Sequence, residues 1–209
     1  AIEVKDFASD GTYFYASTVN GVFKALKSNQ FLSDFSSWTN ESALPNAKFN
    51  AIVFYNNKIY ANQEVEPFNR RLWRLDLSIN EWSWVDSLID YKCYGMKVND
   101  GKLLINYAYG IAIYEGNFQL LEVKGGYPKG DPRDVVFSDG ICWLADYNNS
   151  MVKSPFQKNE YEFIKPQGPV SNKVFDMDIV NSHLWVVPGD LDGWSNLFNT
   201  EGVSHFYHN

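Results

Sequence analysis

Apolar residues along the chain come in short runs, and two-residue turn signals separate them at nearly even intervals. The signals are Asp10-Gly11, Asn56-Asn57, Asp100-Gly101, Asp139-Gly140 and Asn181-Ser182, in steps of 46, 44, 39 and 42 residues (the differences between positions 10, 56, 100, 139 and 181). Asx-Gly between apolar runs is a strong hairpin signal, because both central residues of the tight turn need positive φ. Before each turn lies one apolar run, as in Ala51-Ile52-Val53-Phe54 or Val135-Val136-Phe137, and after it a second, as in Leu103-Leu104-Ile105 or Leu184-Trp185-Val186-Val187. A third run follows in each unit (Val22-Phe23, Leu72-Trp73, Ile111-Ala112-Ile113, Met151-Val152, Val203 to Phe206), and a fourth appears at Trp38, Trp82 to Val85, Phe118 to Val123 and Tyr161 to Ile164. No window carries a 3.6-residue apolar period, so the pattern predicts strands throughout.

Four short antiparallel strands per unit of about 42 residues match the blade of a β-propeller. A β-sandwich also has many short strands, but it does not repeat one four-strand order in register. The expected fold is all-β, a β-propeller-type repeat of about five four-stranded blades, with units at 1–50, 51–95, 96–134, 135–176 and 177–209. The last unit stops at Tyr207-His208-Asn209, where the others turn into a fourth strand, and Ile2 to Val4 align with a connector rather than a spare strand. The sequence therefore reads as an arc of a larger propeller, a segment of a longer exported protein, with exposed strand edges open to self-association. Ala1 in place of an initiator Met fits a removed leader or an excised segment.

Three residues after the turns stand Phe14, Tyr60, Leu104, Trp143 and Trp185, a bulky column that accounts for much of the 17% aromatic content. That content, with 21% charged residues in 209, excludes a disordered chain. Net charge is −7, and no basic footprint for nucleic acid exists; Arg70, Arg71 and Arg74 read as a solvated strand. No run approaches the ~20 apolar residues of a membrane span. Cys93 and Cys142 fit no zinc spacing and no disulfide framework, and their apolar settings predict buried thiols.

Candidate chemistry is sparse. His205 and His208, three apart on a strand and its exit, should face opposite sides, and His183 adds no triad or zinc spacing. Asp190-Leu191-Asp192-Gly193 is similar to the start of a calcium loop, and Glu201 fits its twelfth place. Trp194, however, stands at the fifth place, where an oxygen ligand is needed, and Gly193 comes too early. A solvated acidic loop is expected around Asp190 and Asp192, and no cofactor. Asp10, Asp100 and Asp139 have a turn reason to recur. No nucleophile elbow, P-loop or dinucleotide fingerprint is present. What remains is recognition by loops gathered on one face of a rigid scaffold. The candidate binding-face residues outside the repeating columns are Tyr109, Tyr127, Tyr147, Trp194, Asp190 and Asp192, with Tyr91, Tyr94 and Tyr107 as further loop aromatics.

The unit pattern, with connectors such as Gly168-Pro169-Val170-Ser171-Asn172 and strands such as Leu184-Trp185-Val186-Val187, resembles two propeller families of Bacteroidetes. One is the periplasmic sensor propeller of hybrid two-component regulators. The other is the PorZ family of type IX secretion, whose likeness rests on the last unit: Val187-Pro188-Gly189, a loop with Trp194, Asn196 and Asn199, then Gly202 to Asn209. Asn56-Asn57, Asn181-Ser182 and the acidic Asp190 and Asp192 depart from the pattern. The resemblance implies a non-catalytic scaffold or binding module at the outer-membrane surface or in the periplasm, with protein partners or surface polysaccharide. The alternatives are a glycan-sensing periplasmic propeller and a propeller glycoside hydrolase or lyase built from scattered carboxylates.

Overall fold

The computed structural model describes residues 2–65, 71–85, 92–164, 168, 174–181, 183–192, 195–197 and 202–207. The chain divides into two compact units, Ala1–Ile164 and Lys165–Asn209. In the first unit, four antiparallel sheets follow one another, each with its four strands in chain order. They are β1 to β4 (Val4–Ser9, Tyr13–Thr18, Gly21–Leu26, Thr39–Asn40), β5 to β8 (Phe49–Tyr55, Lys58–Gln63, Arg71–Asp76, Glu81–Val85), β9 to β12 (Cys93–Asn99, Lys102–Tyr107, Gly110–Glu115, Gln119–Gly125) and β13 to β16 (Pro132–Ser138, Ile141–Asp146, Ser150–Pro155, Glu162–Ile164). The first strands of neighbouring sheets lie against one another, β1 on β5, β5 on β9 and β9 on β13, which places them at the inner side of each blade. Among the described residues the single helical piece is a 3-10 turn at Phe35–Ser37, capped by the Asp34 carboxylate accepting from Ser36 N.

The second unit holds a three-stranded sheet of β17 (Val174–Val180), β18 (His183–Pro188) and β21 (Ser204–Phe206). A hairpin of β19 (Asp190–Asp192) and β20 (Ser195–Leu197) intervenes. A fifth, three-stranded blade is the expected result, but the acidic segment read as a loop pairs as a short strand.

The turn dipeptides behave as their chemistry demands. Asn56 and Asn57 (φ 47 and 57), Asp100 and Gly101 (50 and 68), and Asp139 and Gly140 (51 and 73) all have positive φ at both positions. The first blade differs. Asp10 N donates to Tyr13 O, so the two-residue loop is Gly11-Thr12, with φ 96 at Gly11 alone. The Asp10 carboxylate fixes this turn by accepting from Thr12 N at 2.7 Å, Tyr13 N at 2.6 Å and Tyr15 Oη at 2.9 Å. The shift of one residue corrects the bulky column. Pairing with Ala8 aligns Tyr15, not Phe14, with Tyr60 opposite Val53, Leu104 opposite Lys97, Trp143 opposite Val136 and Trp185 opposite Asp178.

In the first three blades the column residues face the next blade. Tyr15 packs with Ile52 and Ile59, Tyr60 with Leu103 and Ile105, and Leu104 with Val135 and Leu144. The alternate residues Ile59, Leu103 and Cys142 face the preceding blade. β2, β6 and β10 are thus buried on both faces along most of their length and read as continuous apolar runs, whereas β14 and β18 are buried mainly on alternate residues. Cys93 and Cys142 are buried and form no disulfide, and burial pushes the Cys142 thiol up to about 11.

One charged group is sealed between the third and fourth blades. Lys124 on β12 is 1% exposed, and its ammonium pairs with Glu122 at 2.5 Å. It also donates to Pro155 O at 2.7 Å and Lys158 O at 2.6 Å, the turn between β15 and β16. All three ammonium donors therefore have partners.

Candidate functional site

At the end of the first unit where first strands begin, the β10–β11 and β14–β15 hairpins meet the connector from β12 to β13. They enclose a cleft of about 410 Å³ lined by Tyr94, Tyr109, Tyr127, Lys129, Asp131 and Asn148, among others. Asp146, at the end of β14, organises its floor. Its carboxylate accepts from Tyr127 Oη at 2.8 Å and Asp131 N at 2.7 Å on one oxygen, and from Asn148 N at 2.9 Å and Asn149 N at 2.7 Å on the other. Burial opposes its ionisation, but these donors together hold the Asp146 carboxyl below its ordinary value. The same contact, with burial first, drives the Tyr127 phenol up. Gly130 is required here, since a Cβ would stand 2.8 Å from the Tyr127 ring. Asn148 Nδ2 donates to Lys129 O and Asn149 Nδ2 to Pro128 O, tying the hairpin to the connector.

The walls are held in costly backbone conformations. Tyr109 has φ 75 and Lys129 φ 55, both in the left-handed region that bulky residues avoid. Such strain concentrates where the surroundings fix a functional group. Tyr109 is 63% exposed and Tyr147, beside the cleft, 75%. Arg133 sits against Tyr94 and Tyr147. Its guanidinium lies 4.1 Å from the Tyr94 ring centroid and 5.1 Å from that of Tyr147, and pairs with Asp131 at 2.5 Å. Burial, then the bond to Asp131, raises the Tyr94 phenol.

Tyr94 and Arg133 also wall a second, inner cleft of about 280 Å³. Its origin is a β-bulge that recurs at one register. Pairing skips Lys5 in β1, Asn50 in β5, Tyr94 in β9 and Arg133 in β13, and all four side chains line this cleft. Bulges re-aim side chains at the rim of a sheet. Lys97 pairs with Asp134 at 2.6 Å across it, and Asp6 accepts from Ile52 N of the next blade at 2.9 Å. Burial raises the Asp6 carboxyl despite that bond. A third groove, of about 260 Å³ on β1 to β3, is lined mainly by apolar groups such as Phe7, Phe23, Phe35 and Trp38.

Of the residues singled out from sequence, Tyr109 and Tyr127 share the larger cleft and Tyr147 adjoins it, though the Tyr127 hydroxyl is engaged by Asp146. Asp190 and Asp192 lie on β19, in the other unit. Trp194, Tyr91 and His208 lie outside the described residues. Tyr107 is buried. Sequence reasoning did not single out Lys129, Asp131, Arg133 or Asn148; the connector Lys129-Gly130-Asp131-Pro132 was the available signal. In the second unit His183 Nδ1 lies 2.5 Å from His205 Nε2, with Trp185 over His205 and Tyr207 over His183. This pairing runs across strands, where spacing along one strand gives no warning. Among the described residues no three His, Cys, Asp or Glu side chains gather as a metal site. No described helix is long and apolar enough to cross a membrane.

The blades and the recurring bulge define a β-propeller-type protein with two adjoining clefts at one end of the first unit. No protein-family model and no curated protein sequence matches the chain. Among solved structures, PorZ, an essential bacterial surface component of the type IX secretion system of Porphyromonas gingivalis, is similar with a TM-score of 0.64 and 16% identity over 98% of this chain and 27% of that one. The extracellular domain of the hybrid two-component system BT4673 from B. thetaiotaomicron matches at 0.57 and 12% identity, over 99% of this chain and 28% of its own. The computationally designed Ika8 protein matches at 0.58 and 10% identity, over 99% and 58%. The chain thus spans about a quarter of the two natural proteins' lengths. The likeness to PorZ and to two-component propellers expected from the repeats is present in the fold.

Proposed function

We propose that the chain is a non-catalytic recognition module of an exported protein, at the outer-membrane surface or in the periplasm, resembling the propeller of PorZ. The observation that carries this reading is the larger cleft, whose walls Tyr109 and Lys129 are held in left-handed conformations around a floor fixed by Asp146. A site preorganised at this cost suits binding of a partner chain or surface polysaccharide. Glycoside cleavage needs two carboxylates about 5–9 Å apart. Asp131 is the one carboxylate lining this cleft among the described residues, and it is tied to Arg133 and Tyr94. At this cleft a binding role is therefore favoured over a hydrolase or lyase, and no cofactor is invoked.

A second reading, a glycan-sensing propeller, is favoured by the exposed rings of Tyr109 and Tyr147 beside Asp131 and Asn148, since aromatic faces stack on sugar rings. A panel of surface polysaccharides and their oligosaccharides tests both. Binding that Tyr109→Ala abolishes without changing the melting temperature, and with no turnover, supports recognition. Release of shorter sugars by the purified chain would overturn it. Deletion of the parent gene separates the two readings: defective retention of sorted surface proteins supports the secretion role, and normal export with loss of a sugar response supports sensing.

A further inference from the structure

We infer that the first unit associates head to tail with a second copy of this chain, through the two blade faces that it leaves open. The inference goes beyond the recognition reading, uses a different part of the surface, and acts through blade faces rather than strand edges. Its basis is an interface that the unit already builds between its neighbouring blades. The face that carries the bulky column on one blade covers the alternate face of the next, as Tyr15 covers Ile52 and Ile59.

The covered face is marked by the first-strand residue that pairs one place beyond the column. That residue is Phe7 opposite Ala16, Ile52 opposite Ala61, Met96 opposite Ile105 and Val135 opposite Leu144. Ile52, Met96 and Val135 are buried in contact with the preceding blade, whereas Phe7 is 51% exposed. Around Phe7 lies the apolar groove of about 260 Å³, walled by Val4, Phe23, Phe35 and Trp38 among others. Its polar side-chain groups are engaged within the fold. Thr18 Oγ1 donates to Gly21 O at 2.8 Å, and Trp38 Nε1 to Leu32 O at 2.9 Å. The groove therefore suits an apolar occupant.

The complementary face stands open on the fourth blade. It is marked by the third-strand residue that pairs two places beyond the column, namely Val22, Leu72, Ile111 and Met151. The first three are buried against the next blade, whereas Met151 is 41% exposed. Val136, opposite the column residue Trp143, is 47% exposed, although Ala8 and Val53 at the same position are buried. The unit thus carries both halves of one interface, and each half is uncovered. A second copy supplies the column face that the groove needs and takes up the one that the fourth blade offers. A peptide or an acyl chain in the groove would leave Val136 and Met151 in water. A contact between unlike patches is heterologous, so it propagates from copy to copy until it closes.

The test is sedimentation velocity on the full chain over about a hundredfold range of concentration. Wild type should pass from monomer to dimer and longer species as concentration rises. Val4→Lys in the groove and Met151→Lys on the fourth blade replace exposed apolar side chains, so the melting temperature of dilute protein should hold. Each should weaken association at least about tenfold. Mixed, the two variants should form a 1:1 complex and nothing larger, because each keeps the face that the other has lost. Wild type that stays monomeric throughout, or association that neither substitution weakens, overturns the inference. Association that only one of them weakens overturns it too, and Val4→Lys acting alone points instead to a symmetric contact between two first blades. Neither substitution touches Tyr109 or Lys129, so failure here leaves the larger cleft's role standing.

Discussion

Replacing Lys124 by Met keeps most of the side chain's volume and removes the ammonium that joins the third and fourth blades. Three bonds are lost. Pro155 O keeps a 3.3 Å bond from Lys158 N, and Lys158 O a 3.4 Å bond from Ser154 Oγ, so neither carbonyl is fully orphaned. Glu122 is the larger liability, because its side chain is 14% exposed and loses its counter-charge, keeping Gln157 N at 2.9 Å. Removing one partner of a buried pair costs about 3–5 kcal/mol. For a chain of this size that corresponds to a fall of roughly 6–20 °C in Tm. Thermal and urea unfolding of the two proteins measure it. A Lys124→Met, Glu122→Gln double variant should recover part of the loss, since it removes the stranded charge. The exposed pair Lys153–Glu162, at 3.0 Å with side chains 31% and 63% accessible, gives the contrast, and Lys153→Met should cost about 0–1 kcal/mol. A Lys124→Met loss under about 1 kcal/mol would refute the clasp, because it would mean that the ammonium is no better placed than a surface lysine.

The corrected column makes Tyr15→Ala cost about 3–5 kcal/mol by denaturant unfolding, while Phe14→Ala, outside the sealed core, costs clearly less; the reverse order would restore the original register. Asp146 has its folded pKa lowered, so it adds stability above the ordinary carboxylate range, and that stability drains as pH falls below about 4. Wild type should therefore lose more stability between pH 5 and pH 3 than Asp146→Asn, and parallel melting curves would refute this. Cys142, buried and with its thiol raised to about 11, should resist iodoacetamide in the folded chain at pH 8 and react on unfolding; labelling at native stability speed would count against the packing.

The blade order was legible because it is written in backbone chemistry. Asn56-Asn57, Asp100-Gly101 and Asp139-Gly140 must sit where φ is positive, and each marks one hairpin. Asp10-Gly11 shows the limit of that signal. The same dipeptide can place its Asp in the last paired position, and only the 2.6 and 2.7 Å bonds from Tyr13 N and Thr12 N reveal which use is made. The outer strand of the first blade was harder, since Trp38 ends a 3-10 turn and the strand is only Thr39–Asn40. The candidate site was partly legible. Tyr109, Tyr127 and Tyr147 stood out as aromatics that the repeat does not explain. Of the bulge residues, Tyr94 stood out as a loop aromatic, but Lys5, Asn50 and Arg133 did not, because a bulge is a pairing event and four unlike side chains leave no pattern. The His183–His205 contact escaped for the same reason, being set by strand pairing.

That dissimilarity is informative about how the fold carries function. The positions that build the interblade core are alike in kind, as Tyr15, Tyr60 and Leu104 are all large and buried. The bulged position shares only its backbone, which turns one side chain per blade out of the ladder and toward a common cleft. Packing therefore constrains the column, while the bulge leaves side-chain identity open at the point where four blades converge. A designed protein can match the fold at a TM-score of 0.58 with 10% identity, so the fold itself does not determine a ligand. What distinguishes this chain is the set of residues at the unconstrained positions. At the inner cleft those positions hold Lys5, Asn50, Tyr94 and Arg133, four side chains of different charge, polarity and size. At the neighbouring cleft Tyr109 and Lys129 stand in left-handed conformations that the packing of the blades does not require.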